Sequence, residues 1–213
     1  MSEKKKITIA GAGLVGSLLS ILLAKRGHDV TVYERRADSR QAGMIGGRSI
    51  NLAISDRGFK ALRKAGIEEE IKKMCIPMKG RMMHSESGEL TFQPYGKEGQ
   101  AINSVSRGGL NLALIDFAEK QHGVKFHFNH RTERMDFRTN ELSFSKGADD
   151  STVVVNPEIA FGADGAFSIV RRRGLQKLDR FDYAQDYLPH GYKELCIPAG
   201  ENGTWQIEKN ALH

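Results

Sequence analysis

The pattern of apolar and polar positions is clearest over the first 36 residues. Residues 7–9 form a β-branched run, Ile-Thr-Ile, which is typical of a buried strand. The apolar stretch over residues 17–25 predicts a helix, and the apolar run over residues 30–33 predicts a second strand. A strand, a helix and a strand in this order predict a βαβ unit with its two strands parallel.

Three glycines and an acidic residue make the first turn of this unit a candidate dinucleotide site. Gly11, Gly13 and Gly16 have the spacing G-x-G-x-x-G, and Glu34 follows the second strand. In this motif the glycines allow a tight turn, a close approach of backbone N–H groups to a diphosphate, and close packing of helix on strand. The helix N-terminus attracts negative charge, and the carboxylate of Glu34 can accept hydrogen bonds from ribose hydroxyls. We therefore expect a bound dinucleotide rather than a glycine turn that merely packs.

Two arginines after the second strand have a role that the sequence alone leaves open. Arg35 and Arg36 come directly after Glu34. A guanidinium at a strand end can reach a phosphate or lie over an adenine. A solvated charge at the end of the strand is an equally good interpretation.

Two helices are predicted next. The first covers residues 57–65, with Ser55 or Asp56 as its N-cap and Gly66 as its end. The second covers residues 67–74 and carries three consecutive glutamates in its first turn. Acidic side chains suit the positive end of a helix dipole, so we interpret this run as a solvated helix start rather than a site.

A hairpin is predicted from residues 78–84 and 89–93, with a Ser-Glu-Ser-Gly turn between them. It interrupts the alternation of strands and helices, so we expect it to lie in a separate sheet. Arg81 and Tyr95 are on its two arms and can both face a pocket. A surface arginine and a packed tyrosine are the plainer interpretation, because most arginines are exposed.

The second half of the chain continues with a mixture of helix and strand signals. A helix is expected over residues 110–122 and a strand over 124–128. Residues 135–146 and 152–155 predict a further hairpin, and residues 192–197 a strand.

A buried strand over residues 158–161 leads into a turn in which Asp164 lies between two glycines. The carboxylate can hold a ribose or ribityl hydroxyl, or it can orient neighbouring N–H groups. A purely structural turn is the alternative.

Composition narrows the class of protein. The 213 residues are 39% hydrophobic, enough for one large domain or slightly more. The chain lacks the long apolar run of a membrane helix, and its basic N-terminus leads directly into the glycine motif rather than into a signal sequence. Cys75 and Cys196 lie far apart, which predicts free thiols, no metal site and a reducing, cytoplasmic location. The net charge of +6 is scattered apart from residues 171–173, so we do not expect nucleic acid as a partner.

The motifs together resemble those of flavoproteins. The glycine motif with Glu34 and Arg36 resembles the FAD site of glutathione-reductase-like proteins. Residues 162–171, Gly-Ala-Asp-Gly-Ala-Phe-Ser-Ile-Val-Arg, narrow the resemblance to aromatic-ring hydroxylating, FAD-dependent monooxygenases. Three further stretches are similar to the kynurenine 3-monooxygenase family: residues 47–55, residues 81–85 with 94–96, and residues 181–192.

This resemblance, which runs over essentially the whole chain, implies a fold. The expected class is α/β, with a Rossmann-like FAD-binding domain of the glutathione-reductase type and an interposed β-rich substrate domain that is cut at the C-terminus. Residues 1–75 and 101–175 would form the FAD-binding domain. Residues 76–100 would form the substrate-domain hairpin, and residues 176–213 the start of the substrate-domain sheet.

The resemblance also implies cofactor contacts. Val15 would contact the FAD diphosphate through its backbone, Ala53 would lie against FAD, and Arg107 would hold a phosphate or ribityl oxygen. Thr132 would meet the adenine end through its backbone. The full implied set is Gly11, Gly13, Val15, Gly16, Glu34, Arg35, Arg36, Ala53, Arg107, Thr132 and Asp164.

The implied substrate is L-kynurenine. Arg81 would pair with its carboxylate and Tyr95 would donate its hydroxyl to the same group, which suits an amino-acid carboxylate and reverses the plainer interpretation of this pair. The implied reaction gives 3-hydroxy-L-kynurenine with NADPH and O₂, through a flavin C4a-hydroperoxide, as a step of tryptophan catabolism. The flavin carries this chemistry, so no side chain is assigned as catalytic.

Family members are longer than this chain, and their third FAD motif and the remainder of the substrate sheet are absent from it. We therefore expect the chain to be inactive by itself, and we expect no membrane contact for it. Three alternatives stay open: a phenol or benzoate hydroxylase of the same class, a non-redox binding protein with the FAD-type fold, and an NAD-dependent dehydrogenase. Glu34 is compatible with NAD, but the turn at Asp164 and the interposed hairpin fit FAD better.

Overall fold

The computed structural model describes residues 3–42, 51–97, 99–147, 151–191 and 197–213. The helices are α1 (Leu14–Ala24), α2 (Ser39–Ala42), α3 (Asp56–Ala65), α4 (Glu68–Met74) and α5 (Arg107–His122). Short helical turns cover Val170–Gly174, Leu175–Lys177 and Glu201–Gly203. Among these residues no helix combines the length and the apolar character that crossing a membrane requires.

Within the described ranges the strands form four small sheets. Those of the first half of the chain are β1 (Lys6–Ala10), β2 (Asp29–Tyr33), β3 (Asn51–Ile54), β4 (Ile76–Met78), β5 (Gly80–His84), β6 (Leu90–Pro94) and β7 (Ile102–Ser106). The second half adds β8 (Lys125–His127), β9 (His130–Asp136), β10 (Glu141–Lys146), β11 (Ser151–Val155), β12 (Ile159–Gly162) and β13 (Ala211–Leu212).

The largest sheet is parallel and has the order β12-β1-β2-β8. Ile9 lies opposite Val32 and is completely buried, as the β-branched pattern predicts. Helices α1 and α5 pack together, and their buried residues join those of the sheet in one hydrophobic core. The predicted βαβ unit is therefore confirmed, with the helix beginning at Leu14 rather than at residue 17.

The remaining sheets have antiparallel pairs. Strands β11, β10 and β9 form one meander, strands β3, β7 and β4 form another sheet, and β5 pairs with β6. The predicted hairpin thus lies in a sheet of its own, in which β13 adds a parallel pair to β5. The expected division of the chain into domains stays a prediction.

Two predicted strands have wrong bounds. Residues 135–146 are split between β9 and β10, because the carboxylate of Asp136 accepts hydrogen bonds from the N–H groups of Arg138 and Thr139 and so closes a turn. Met78 belongs to β4, which pairs with β7, and the hairpin begins only at Gly80. The strand breaks at Lys79, whose N–H donates to the carbonyl of Asn210.

Further details of the predictions need correction. The strand over residues 158–161 is β12, an edge strand whose Ile159 is 38% exposed rather than buried. Ser55 is the N-cap of α3, but its side chain makes no capping hydrogen bond. Gly66 ends α3 as predicted, with a φ of +91°. The strand predicted over residues 192–197 falls mostly on residues 192–196, which lie outside the described part of the chain, as do residues 43–50 and 148–150.

The glutamate run in α4 is not entirely solvated. Glu68 is only 8% exposed, and its two carboxylate oxygens each lie 2.6 Å from the guanidinium of Arg63 in a fork-like pair. Lys72 lies 3.2 Å away on the same carboxylate. This pairing lowers the pKa of Glu68, chiefly through the hydrogen bonds from Arg63. The interpretation of this residue as part of a solvated helix start was therefore wrong.

Replacing Gly16 tests the close contact of helix and turn. A Cβ atom at this position would overlap the backbone carbonyl oxygen of Gly11, so Gly16→Ala should lower the free energy of unfolding by about 1–3 kcal/mol. Gly13 has a φ of −70° and no atom within 4 Å of its Cβ position, so Gly13→Ala should change it by less than about 1 kcal/mol. Urea unfolding of both variants measures the difference. Equal losses would contradict the packing described for Gly16.

Glu68 makes stability depend on pH. Its pKa is lowered in the folded state, so its stabilising contribution is present at neutral pH and is lost as the pH falls through that lowered pKa. Glu68→Gln should therefore lower the melting temperature at pH 7, and the difference from the wild type should shrink below about pH 4. Glu69→Gln is the control, because the Glu69 side chain is 78% exposed. A difference that does not vary with pH would show that the pairing is not what stabilises this region.

Candidate dinucleotide-binding site

At Gly11, the glycine turn after β1 makes contacts that leave no room for a side chain. Gly11 has a φ of +101°, and its N–H donates to the carbonyl of Tyr33 at 2.7 Å. A Cβ atom at Gly11 would lie 2.5 Å from the carbonyl oxygen of Ala163. The first turn of the βαβ unit and the turn after β12 therefore meet at this point, which brings Gly11 and Asp164 together.

Glu34 faces the glycine turn from the end of β2. One carboxylate oxygen accepts the N–H of Ala12 at 2.9 Å, and the other accepts the N–H of Arg36 at 3.0 Å. The side chain is half-buried and is thus held in one orientation. Each carboxylate oxygen has a further lone pair, so Glu34 retains the capacity to accept hydrogen bonds from two vicinal hydroxyls.

The N-terminus of α1 has no side-chain cap. Gly13 is the N-cap residue, and the first hydrogen bond of the helix runs from the N–H of Ser17 to the carbonyl of Gly13 at 2.9 Å. The N–H groups before Ser17 have no acceptor within the helix. Val15 lies in this first turn with its side chain 70% exposed. Free N–H groups, the helix dipole and the open space at Gly13 together make a site for an anion.

Three predicted arginines supply positive charge without a protein partner. Arg35, Arg36 and Arg107 are exposed, and none of them forms an ion pair within the described residues. Arg107 begins α5, one helical turn before Asn111, and residues one turn apart share a face of the helix. Since Asn111 contacts the carbonyl of Ala12, Arg107 lies at the end of α5 nearest the glycine turn.

Ala53 and Thr132 lie on two other strands. Ala53 is an exposed residue of β3, opposite Ser104 of β7, the strand that leads into α5. Thr132 is buried on β9, opposite Phe144. Two residues before it, the N–H of His130 donates to the carbonyl of Glu34 at 2.8 Å. Thr132 is therefore near the end of β2, whereas no contact joins Ala53 to the glycine turn among the described residues.

The carboxylate of Asp164 is used by its own turn. It accepts hydrogen bonds from the hydroxyl of Ser168 at 2.5 Å, from the N–H of Ile169 at 2.6 Å and from the N–H of Val170 at 3.2 Å. Of the roles that the sequence left open for Asp164, this geometry matches the orienting of neighbouring N–H groups. The side chain holds the turn against Gly11, and a cofactor hydroxyl would share a carboxylate that is already bonded.

Arg81 and Tyr95 belong to a different sheet from the glycine turn. Arg81 is exposed on β5 opposite Gln93, and Tyr95 lies just beyond β6, two residues after Gln93. The hydroxyl oxygen of Tyr95 is buried and has no hydrogen-bond partner within the described residues. No contact joins either residue to the dinucleotide site within that part of the chain.

An aromatic cluster beneath Glu34 was not predicted. The ring of Tyr33 stacks on Phe144 at 4.2 Å and on His127 at 4.8 Å between ring centres, and its edge meets His130. Burial raises the pKa of Tyr33, and burial followed by the charge of His130 lowers the pKa of His127. Both shifts favour the neutral forms at pH 7. The cluster is formed by strands that are far apart in the sequence. The aromatic alternation around β8 was the one feature of the sequence that pointed to it.

These features fit the adenosine and diphosphate end of a flavin adenine dinucleotide. The uncapped helix, the open side of Gly13 and the unpaired arginines suit two phosphates, and the oriented carboxylate of Glu34 suits a ribose. The site brings together Gly11, Gly13, Gly16, Val15, Glu34, Arg36 and Asp164 from three turns at the ends of parallel strands.

Comparison with known proteins agrees with this geometry. A family model described as FAD binding domain matches residues 4–184. The chain is 50% identical over 219 residues to kynurenine 3-monooxygenase of Myxococcus xanthus, which covers all of this chain and 46% of that protein. It is 47% identical to the protein of that name from Dictyostelium discoideum and 44% identical to that from Sus scrofa, with 44% of each covered. The chain thus spans slightly less than half the length of these curated relatives.

Solved structures share the fold at lower identity. The p-nitrophenol 4-monooxygenase of Pseudomonas putida has a TM-score of 0.64 at 20% identity, with 81% of this chain and 44% of that chain covered. A 2-methyl-3-hydroxypyridine-5-carboxylic acid oxygenase has a TM-score of 0.62 at 19% identity, covering 80% of this chain and 42% of that one. The expected α/β fold is confirmed, and with the family match over residues 4–184, the chain belongs to the FAD binding domain family.

Proposed function

We propose that the protein containing this chain hydroxylates L-kynurenine to 3-hydroxy-L-kynurenine, with FAD as cofactor and NADPH and O₂ as co-substrates. The observation that carries the proposal is the 50% identity over the whole chain to a kynurenine 3-monooxygenase, which includes the hairpin as well as the FAD-binding part. Among the described residues, neither Arg81 nor Tyr95 of the hairpin contacts the glycine turn, so a match that spans the hairpin supports a shared substrate as well as a shared cofactor.

The chain provides the part of the site that binds the adenosine and diphosphate of FAD. The N–H groups at the start of α1 receive the diphosphate, and Arg107 adds positive charge beside it. Glu34 accepts hydrogen bonds from the ribose. Arg35 and Arg36 face the adenine end, together with the backbone at Thr132. FAD, when bound, supplies the redox chemistry with NADPH and O₂.

The hairpin provides part of the substrate site. The guanidinium of Arg81 is exposed and has no carboxylate partner among the described residues, so it is free to form a two-point pair with an amino-acid carboxylate. The hydroxyl of Tyr95 is buried and has no acceptor among the described residues, and such a donor gains most from a ligand that accepts its hydrogen bond. The strand register sets Tyr95 diagonally across from Arg81 on the hairpin.

The chain by itself lacks the rest of this site. It covers 46% of the Myxococcus xanthus relative, and a two-part site loses affinity tenfold for every 1.4 kcal/mol of missing contacts. We therefore infer that residues 1–213 alone do not hydroxylate kynurenine. The partners are small molecules, and the cytoplasm is the proposed location.

Variants of Arg81 and Tyr95, made in the longer protein that contains this chain, test the proposed substrate site. Arg81→Lys keeps the charge but loses the two-point geometry, and should raise the KM for L-kynurenine by about 10- to 100-fold. Tyr95→Phe removes one hydroxyl and should raise it by about tenfold. FAD affinity should not change, because neither residue contacts the dinucleotide site. Steady-state kinetics and flavin titration measure both quantities.

Arg57→Lys is the matched control, since Arg57 is exposed on α3 and forms no ion pair within the described residues. A KM unchanged by Arg81→Lys and Tyr95→Phe would contradict the assigned substrate site. Turnover of a phenol or a benzoate, without turnover of kynurenine, would replace the proposed function by that of another hydroxylase.

A further inference from the structure

The glycine turn is also held from its inner side by two residues outside the glycine motif. The carbonyl oxygen of Ala12 accepts a hydrogen bond from the hydroxyl of Ser17 at 3.0 Å. It accepts a second from the side-chain amide of Asn111, on α5, at 2.9 Å. The same amide nitrogen lies 3.2 Å from the hydroxyl oxygen of Ser17, so the three groups form a closed triangle.

The donors and acceptors of this triangle balance. The amide of Asn111 has two hydrogens, one for the Ala12 carbonyl and one for the Ser17 hydroxyl. The Ser17 hydroxyl then donates its own hydrogen to the carbonyl, which has two lone pairs. The opposite orientation of the amide would place two oxygens against each other, so the network allows one arrangement. Ser17 is completely buried, so water cannot replace its partners.

The triangle fixes the direction of a backbone N–H group. In a trans peptide the carbonyl of one residue and the N–H of the next point in opposite directions. The carbonyl of Ala12 points inward, to Ser17 and Asn111, so the N–H of Gly13 points outward. No atom lies within 4 Å of the position that a Cβ atom of Gly13 would occupy. The N–H of Ala12 is fixed as well, because it donates to Glu34.

We propose that Ser17 and Asn111 are positioning residues for FAD, which hold the peptide between Ala12 and Gly13 so that its N–H faces the diphosphate. The inference rests on the proposed binding of FAD at the glycine turn. Glycine tolerates a wide range of backbone angles, so without the triangle this peptide is free to rotate. A rotated peptide would present the carbonyl oxygen of Ala12 to the diphosphate, and two negative groups would then face each other.

The double variant Ser17→Ala/Asn111→Ala removes both donors to Ala12. Its affinity for FAD should fall by about tenfold or more, as expected for the loss of one well-oriented hydrogen bond together with the new repulsion. Ser20→Ala is the matched control. Ser20 is also completely buried, and its hydroxyl donates to the carbonyl of Ser17 at 2.7 Å, but it does not touch Ala12. This control should bind FAD within about twofold of the wild type.

Hydrogen exchange in the absence of FAD provides a second readout that a general loss of stability would not reproduce. The amide of Ala12 should exchange about tenfold faster in the double variant, while amides in the middle of α5 should exchange as they do in Ser20→Ala. Unchanged exchange at Ala12, or FAD affinity equal to that of Ser20→Ala, would overturn the inference. A wild-type protein that binds no FAD would overturn the proposed cofactor site instead, and the exchange measurement would still decide whether the triangle holds the turn.

Discussion

The backbone of Ala12 is the point on which the rest of the site depends. Its N–H is bonded to Glu34 at the end of β2, and its carbonyl is bonded to Ser17 on α1 and Asn111 on α5. A single residue between two glycines is thus tied to three separate elements. Because both of its polar groups are satisfied by protein, the peptide groups on either side of it have fixed directions, which a binding site for a diphosphate requires.

The packing around this residue explains why glycine is required at positions 11 and 16. Gly11 meets the turn at Ala163, and Gly16 meets Gly11. These contacts join the turns that follow β1 and β12, two neighbouring strands of the parallel sheet. The turns lie at the carboxyl ends of the strands, where ligands of open α/β sheets bind. The carboxylate of Asp164 stabilises the turn after β12 by accepting hydrogen bonds from the N–H groups of Ile169 and Val170. The turn is therefore tightly packed at Gly11 and open at Gly13, where the helix begins.

The sequence was most informative where the structure depends on neighbouring residues. The βαβ unit and the position of Glu34 at the end of its second strand follow from one continuous stretch, and local pattern is enough to predict them. Residues that act across the chain were missed. Asn111 reaches Ala12 from 99 positions away, and nothing in a helical pattern marks it. The break at Lys79 likewise depends on the distant residue Asn210. The pairing of Glu68 with Arg63 is an exception, because these residues are close in sequence and the turn between two helices brings them together.

The hairpin illustrates a different limit. Its strands were predicted from alternation and turn residues, but a role for Arg81 and Tyr95 came only from similarity to a family. The geometry adds one physical observation, which is that the buried hydroxyl of Tyr95 has no hydrogen-bond partner among the described residues. Chemical function in such a sheet depends on groups that converge from several strands, and a single hairpin specifies only some of them.

Titration of the longer protein that contains this chain with FAD, followed by visible absorption and by retention of the flavin on gel filtration, tests the central claim most directly. We expect saturable binding by the wild type. We expect far weaker binding by Gly13→Ala, because its added methyl group would lie in the open space that we propose for the diphosphate. A wild-type protein that takes up no flavin, or equal binding by the two proteins, would contradict the proposed location of the diphosphate at the glycine turn.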